Sequence, residues 1–417
     1  MEVHYSIKKI AMFFTKNEIQ SNAVAVNKKL SCYSCGLYKG DISSPKMAPF
    51  GNFKKKILNI GDFTTGVDDA AGKPFQGKNK KIYAMYAKLG IDIEEDCLNV
   101  NSVMCFPYDK KTLKDREPSA HEINCCTINI QKVIQQYKPQ LIVLFGRVAL
   151  QSVIGPRWNK SLDKLEKWRG FVIPEQTYKC WVAPVFSPSY VNVVDRPEVT
   201  LVWEQDLKNA LRHLEIRFPV TKEPKINVIT DLSILNEITY NSIVSFDYET
   251  TGLKPHAEGH KIVCASVAVS EDEVYVFEMP NKPEKRKPFI DLLKNKFIKK
   301  MAHNMKYEET WSHVILQTRV KAWFWDTMIM AHILDNRQGV TGLKFQTYVN
   351  FGVGDYSSHI EKYLEAKDPK NANSKNDIEK SIKIHKRDIL TYCALDSIYQ
   401  YRLAMKQMEV IDNILPF

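Results

Sequence analysis

The chain has 417 residues, 44% of them hydrophobic and 26% charged, with a formal net charge of +11. That length predicts two or three domains, each able to bury its own core, and the composition excludes a disordered or fibrous protein. The basic balance favours a polyanionic partner. The longest apolar run, Leu141-Ile-Val-Leu-Phe145, is too short to span a membrane. The first residues carry no apolar core of signal-peptide type. Nine cysteines without a secretion signal point to thiols or metal ligands rather than disulfides.

In chain order, stretches 56–61, 97–103, 141–146 and 180–186 are short, largely apolar and rich in Ile and Val. Helical patterns such as 122–137 lie between the first three. This alternation predicts an α/β domain: a parallel four-stranded sheet covered by helices on both faces. Trp203, Leu207, Leu211 and Leu214, at helical spacing, close it. Two prolines and no periodicity make 217–225 an interdomain linker, between domains at 1–216 and 226–417. The second domain opens with strand 227–230, helix 232–240 and strand 243–246. Stretches 261–269 and 273–278 form a hairpin, and 299–303 is a further strand. The charged stretch 356–386 reads as a mobile excursion. Lysine runs at 54–56 and 78–81 fit phosphate contacts or a solvated surface.

Strand 243–246 runs into Asp247 and Glu249 within Val244-Ser-Phe-Asp-Tyr-Glu-Thr-Thr-Gly252. Residues two apart on a strand share a face and can grip one cation. Asn304-Met-Lys-Tyr-Glu308 follows a later strand, and Tyr392-Cys-Ala-Leu-Asp396 puts Tyr392 and Asp396 one helical turn apart. This set resembles the DEDDy branch of the 3′–5′ exonucleases, specifically the proofreading domain of family-A DNA polymerases, over about residues 226–408. Phe324-Trp-Asp-Thr327 with Ile329-Met-Ala-His-Ile333 is similar to that family's helix behind the site. The resemblance implies a ribonuclease H-like fold with a mixed sheet. It also implies two ions, Mg²⁺ or Mn²⁺, held by Asp247, Glu249, Glu308 and Asp396, with Tyr392 orienting the attacking water. The family usually has Asp where this chain has Glu308, which moves that charge by about one C–C bond length.

In the first half, a glycine-bearing loop from Gly61 to Gly77 follows a strand directly. With Asn101, Leu144-Phe-Gly-Arg-Val-Ala-Leu150, Trp168-Arg-Gly170 and Phe186-Ser-Pro-Ser-Tyr190, it resembles the family-4 uracil-DNA glycosylases over roughly residues 30–215. The resemblance implies an α/β/α sandwich and a [4Fe–4S] cluster on Cys32, Cys35, Cys105 and Cys126. Cys125 is an adjacent competitor, and zinc is the alternative for four thiolates. Cys97, Cys180, Cys264 and Cys393 read as core residues. In the implied base pocket Asp62 positions or activates water, Phe75 stacks on a flipped base, and Asn101 bonds the uracil edge. The family's histidine before Pro-Ser is Ser187 here, and a hydroxyl supplies no positive charge to a departing uracil anion. Thr64 and Thr65 replace the family's Pro-Gly. Weak or absent uracil excision is therefore expected.

The composite resembles the N-terminal part of certain bacteriophage family-A DNA polymerases. It implies a two-metal 3′–5′ exonuclease acting on single-stranded DNA 3′ ends in proofreading. The polymerase domain is expected to be encoded separately or removed, because the chain stops at Phe417. The expected setting is the cytoplasm, that of the host cell for a phage-encoded protein. Two alternatives stand beside this: an active uracil-DNA glycosylase with an accessory exonuclease domain, and a non-catalytic DNA-binding or polymerase-associated scaffold.

Overall fold

The computed structural model describes residues 30–414 apart from Leu113, Asn159 and Tyr240. The reading of the N-terminus as free of a signal core, and the end of the 232–240 helix, lie outside the described residues. Two compact units emerge. The first ends at Val220 and also takes in Phe351–Gly354; the second begins at Thr221.

The first unit is built on β1 (Ile57–Phe63), β2 (Cys97–Val103), β3 (Leu141–Phe145), β4 (Ile173–Glu175) and β5 (Cys180–Val185). The sheet order is β2-β1-β3-β5-β4. β1 pairs in parallel with β2 and β3, and β3 with β5. β4 runs antiparallel to β5, so the expected four-stranded sheet is five-stranded. That edge strand is only Ile-Pro-Glu long, and Pro174, with no N–H to donate, suits an edge. Its brevity hides it from any alternation signal. β3 is apolar throughout because both its faces are covered: every residue of it is buried.

The helices that matter here are α1 (Cys32–Cys35), α2 (Ala120–Tyr137), α3 (Arg147–Val153), α4 (Pro188–Val194) and α5 (Pro197–Arg212). A capping box starts α2, with Ser119 and Glu122 each accepting the other's backbone N–H. Trp203 and Leu207 of α5 pack into the core with Ile57, Val143, Phe145 and Val185.

The second unit holds β6 (Lys225–Val228), β7 (Ile243–Thr250), β8 (Ile262–Ala268), β9 (Glu273–Glu278), β10 (Lys299–Ala302) and β11 (Trp323–Asp326). Their order is β11-β10-β7-β8-β9-β6, a mixed sheet in which β7, β8 and β9 are antiparallel neighbours. Around it lie α6 (Met305–Ile315), α7 (Thr327–Leu334), α8 (Leu343–Phe351), α9 (Ser358–Leu364) and α10 (Lys386–Ile414). Phe246 and Tyr248 point from β7 into a core with Phe289 and Trp311, which leaves Ser245, Asp247 and Glu249 on the opposite face.

Three expectations are corrected in this unit. Residues 232–237 form a 3-10 helix rather than an α-helix, capped by Asp231 and burying Leu232 and Leu235 three apart. Residues 323–326 are a strand, not the start of a helix; their aromatic side chains suit a pleated edge, and α7 begins only at Thr327. The stretch 356–386 is folded, not a free excursion. Ile360, Ile378 and Ile382 are buried, and Asn376 donates its backbone and side-chain N–H groups to Thr251 and Thr250 at the end of β7. Among the described residues, no helix is long and apolar enough to cross a membrane.

Candidate functional site

The strongest concentration of chemistry lies where α10 crosses β7 and β8. Serines fix the crossing: Ser245 Oγ donates to Ser397 O at 3.0 Å, and Ser266 Oγ to Cys393 O at 2.7 Å. Small hydroxyl side chains let the helix backbone approach, and α10 then turns Tyr392, Cys393, Asp396 and Gln400 toward the acids of β7. Ligand atoms of Asp247, Glu249 and Cys393 all lie within 4.8 Å of one another. In the antiparallel register Asp247 faces Ser266 and Glu249 faces Cys264.

Glu249, Glu308 and Asp396 are all buried, Glu308 to 2% exposure; Asp247 is the least covered. Burial and the Asp396 charge push the Asp247 carboxyl up to about 8, against help from Lys344 and a 2.9 Å hydrogen bond donated by Gln400. Burial and the charges of Asp247 and Asp396 hold Glu249 well above the carboxylate range. Burial and Asp247 do the same to Glu308. Glu308 sits in the first turn of α6, whose first amides are capped by Asp326, and its Oε2 is buried without a protein partner. Burial, then Asp396, raises the Tyr392 phenol, which keeps it neutral. Acids that raise one another, with one oxygen left unanswered, fit a hard divalent cation bound through oxygen.

Sequence reasoning singled out the acids and Tyr392 but read Cys393 only as core. It is fully buried, yet its sulfur stands among the carboxylates. Gln400 was also missed, although it follows Asp396 by one turn. Lys344 and Tyr356 were missed without any local signal: both donate to Asp396 Oδ1, Tyr356 at 2.7 Å.

In the first unit, the four expected cysteines converge from α1, the end of β2 and α2. Met104 N donates to Cys126 Sγ at 3.4 Å, Lys46 N to Cys105 Sγ at 3.2 Å, and Asn129 Nδ2 to Cys32 Sγ at 3.4 Å. The same Asn129 amide reaches Cys126 Sγ at 3.8 Å. Burial, reinforced by neighbouring thiolates, raises Cys35 and Cys105 and pushes Cys126 up to about 12. Clustered thiols with N–H groups aimed at their sulfurs fit a metal or metal–sulfur centre. Cys125 Sγ sits 3.4 Å from Ser34 Oγ and 3.6 Å from His121 Nε2, and its charge also raises Cys35.

The expected base-pocket residues are tied up internally. Asp62 lies in β1, and its Oδ1 accepts from Val148 N at 2.7 Å and Ala149 N at 3.3 Å, capping α3. Burial pushes it up to about 6 against those two bonds. Gly146, at φ 104°, is required there, since a Cβ would fall 2.1 Å from Asp62 Oδ2. Asn101 is buried, with Nδ2 3.4 Å from Asp68 Oδ2 and 3.5 Å from Thr64 Oγ1. Phe75 is 2% exposed and packs edge-on against Phe145. Ser187 Oγ accepts from Tyr190 N at 3.2 Å, capping α4. Asp68, which the sequence reading passed over, is the fully buried acid beside Asn101. Of the lysine runs, Lys54 and Lys55 pair with Glu95 and Asp96.

Comparison with known proteins divides the chain in the same order. The model of the uracil DNA glycosylase superfamily matches residues 48–208, and that of a 3′–5′ exonuclease family matches residues 226–412. The type-4 uracil-DNA glycosylase of Saccharolobus solfataricus is 27% identical over 194 residues, 46% of this chain and 84% of that protein. That of Archaeoglobus fulgidus is 25% identical over 186 residues, covering 44% and 88%. Among solved structures, Brucella melitensis NrnC with bound Mg²⁺ aligns at TM-score 0.34 and 18% identity, covering 46% of this chain and 82% of that one. Escherichia coli RNase D aligns at 0.35 and 14%, covering 46% of each.

Proposed function

We propose that this chain, which joins a uracil DNA glycosylase superfamily domain to a 3′–5′ exonuclease domain, removes nucleotides from DNA 3′ ends in the service of a polymerase. The observation that carries the reading is the set Asp247, Glu249, Glu308 and Asp396, buried apart from the half-covered Asp247 and raising one another, with Glu308 Oε2 unanswered. Such a set is costly to bury unless a cation neutralises it. These four residues would hold two divalent ions, Mg²⁺ or Mn²⁺, which supply Lewis acidity toward water and phosphate.

The chain's own residues do the rest. Asp247 and Glu249, fixed on one strand face, would hold the ions against which the terminal phosphodiester is placed. Tyr392, kept as a neutral phenol, orients the water that attacks phosphorus. The bond from phosphorus to the 3′ oxygen breaks, that oxygen takes the electron pair and a proton, and a nucleoside 5′-monophosphate leaves. Proofreading beside a family-A-type polymerase, bacteriophage origin and a cytoplasmic setting are parts of this proposal, supported by the pairing of two DNA-directed domains. Single-stranded DNA labelled at its 5′ end should yield a stepwise ladder in Mg²⁺ or Mn²⁺ and none in EDTA. An intact 3′ end in metal-supplemented protein would overturn the proposal.

For the first unit we propose a DNA-binding, polymerase-associated module carrying a [4Fe–4S] cluster on Cys32, Cys35, Cys105 and Cys126, with little uracil excision. Its support is that Asp62 and Ser187 cap helices and the Asn101 amide leans on Asp68 and Thr64. Robust uracil release by the unmodified protein would replace this with the glycosylase alternative; Ser187→His should raise release if the rest of the pocket is competent.

A further inference from the structure

The proposed metal site contains a fixed cation of the chain's own. Lys344 opens α8 and reaches Asp396 Oδ1, with both side chains largely covered, at 21% and 9% exposure. Its ammonium lies over two phenol rings, 4.1 Å from the centroid of Tyr356 and 4.2 Å from that of Tyr392. Tyr356 donates to the same Asp396 Oδ1 at 2.7 Å. Its loop is pinned in turn, because Asp355 Oδ1 accepts from Ser357 N, Ser357 Oγ and Ser358 N. One carboxylate, two tyrosines and one lysine thus form a closed packing unit.

Both donors converge on Oδ1 and leave Oδ2 of Asp396 to a metal. A cation wedged between two aromatic faces is worth more than a surface ion pair, because it is partly desolvated and held at several points. Moving the ammonium would release Asp396 and the Tyr392 ring together.

We propose that Lys344 is a positioning residue: it fixes Asp396 and Tyr392 in one geometry and serves as a built-in counter-charge that competes with divalent metal for the acid cluster. The inference rests on the two-metal reading above, and it separates two effects that a merely structural lysine would move together. Removing the charge leaves the acids less compensated, so a divalent ion should bind more tightly. Removing the clamp leaves Tyr392 and Asp396 less well aimed, so turnover should fall.

The test uses the full chain at pH 9, to limit proton competition, with Mn²⁺ binding followed by calorimetry or electron paramagnetic resonance beside hydrolysis of labelled single-stranded DNA. For Lys344→Met, kcat should fall about 10-fold or more while the Mn²⁺ dissociation constant drops about 3-fold or more. Lys344→Arg keeps the charge, so it should hold the parent's Mn²⁺ affinity and recover part of kcat. Tyr356→Phe should lower kcat with affinity unchanged. Lys344→Gln takes the place of the methionine variant if the latter does not fold. An unchanged kcat, or affinity and kcat falling together, would overturn the inference. A parent protein that hydrolyses no DNA in Mn²⁺ would instead overturn the function it rests on.

Discussion

Each unit buries carboxylates beside a strand end, but their surroundings differ. Asp62 in the first unit is answered by two backbone N–H groups of α3, and burial raises it only to about 6 against those bonds. Asp247 in the second is answered by Gln400 but faces Asp396, and it rises to about 8. Glu249 and Glu308 are raised by burial and by Asp247. An acid satisfied by amides is finished as a piece of structure. Acids that chiefly meet other acids are complete only with a cation. This difference favours chemistry in the second unit and architecture at Asp62 in the first.

The largest expected effect tests the second half of that contrast. Asp247→Ala should lower 3′–5′ hydrolysis at least about 100-fold, since it removes a proposed metal ligand and the carboxyl that couples to Glu249, Glu308 and Tyr392. Digestion at the parent's rate would break the comparison.

A second test concerns thiols. Cys126→Ala should lose most of the iron and sulfide bound by anaerobically purified protein, while Cys125→Ala, whose sulfur turns to Ser34 and His121, should keep it. The reverse result would exchange the two neighbours, and a bound zinc without iron would change the metal assigned.

A pH effect follows in size. Asp247 titrates near 3.8 in an unfolded chain and near 8 in the metal-free fold. The folded state therefore keeps a proton that the unfolded chain has released. The stability this provides is fully present below about pH 4 and is lost as pH rises through 8. Metal must displace that proton, so Mg²⁺ affinity should rise as pH rises through 8. Thermal unfolding in EDTA and in Mg²⁺ at pH 5, 7 and 9 checks both slopes; an affinity flat across that range would remove Asp247 from the metal's ligands.

The smallest effect is expected at Asp62. Asp62→Asn still offers an oxygen to Val148 N without a buried charge, so the melting temperature at pH 7 should stay within about 3 °C of the parent. If the variant instead loses a measurable uracil-releasing activity at unchanged stability, Asp62 returns to a catalytic role.

Much of the second site was legible because its spacing is local. Residues two apart on β7 must share a face, and residues four apart on α10 must share a side, whatever the rest of the chain does. The short parallel strands of the first unit were legible for a similar reason: a strand buried on both faces is largely apolar. The failures have equally physical sources. The edge strand β4 is too short to show a period, and 356–386 looked mobile because four isoleucines among many charges, three of them buried, do not announce a buried side.

The sequence by itself singled out the candidate residues: the strand acids, the Tyr-to-Asp turn on α10, the paired cysteines and the serine in place of a histidine. Only the tertiary structure decided what each is free to do. It spent Asp62 and Ser187 on helix amides, left Glu308 Oε2 unanswered, and brought Cys393 among the carboxylates. It also delivered Lys344 and Tyr356 to Asp396 from positions 52 and 40 residues away. Local periodicity fixes a side chain's direction relative to its own element, whereas its hydrogen-bond partners, its solvent and its neighbours' charges are set by packing between elements distant in the chain.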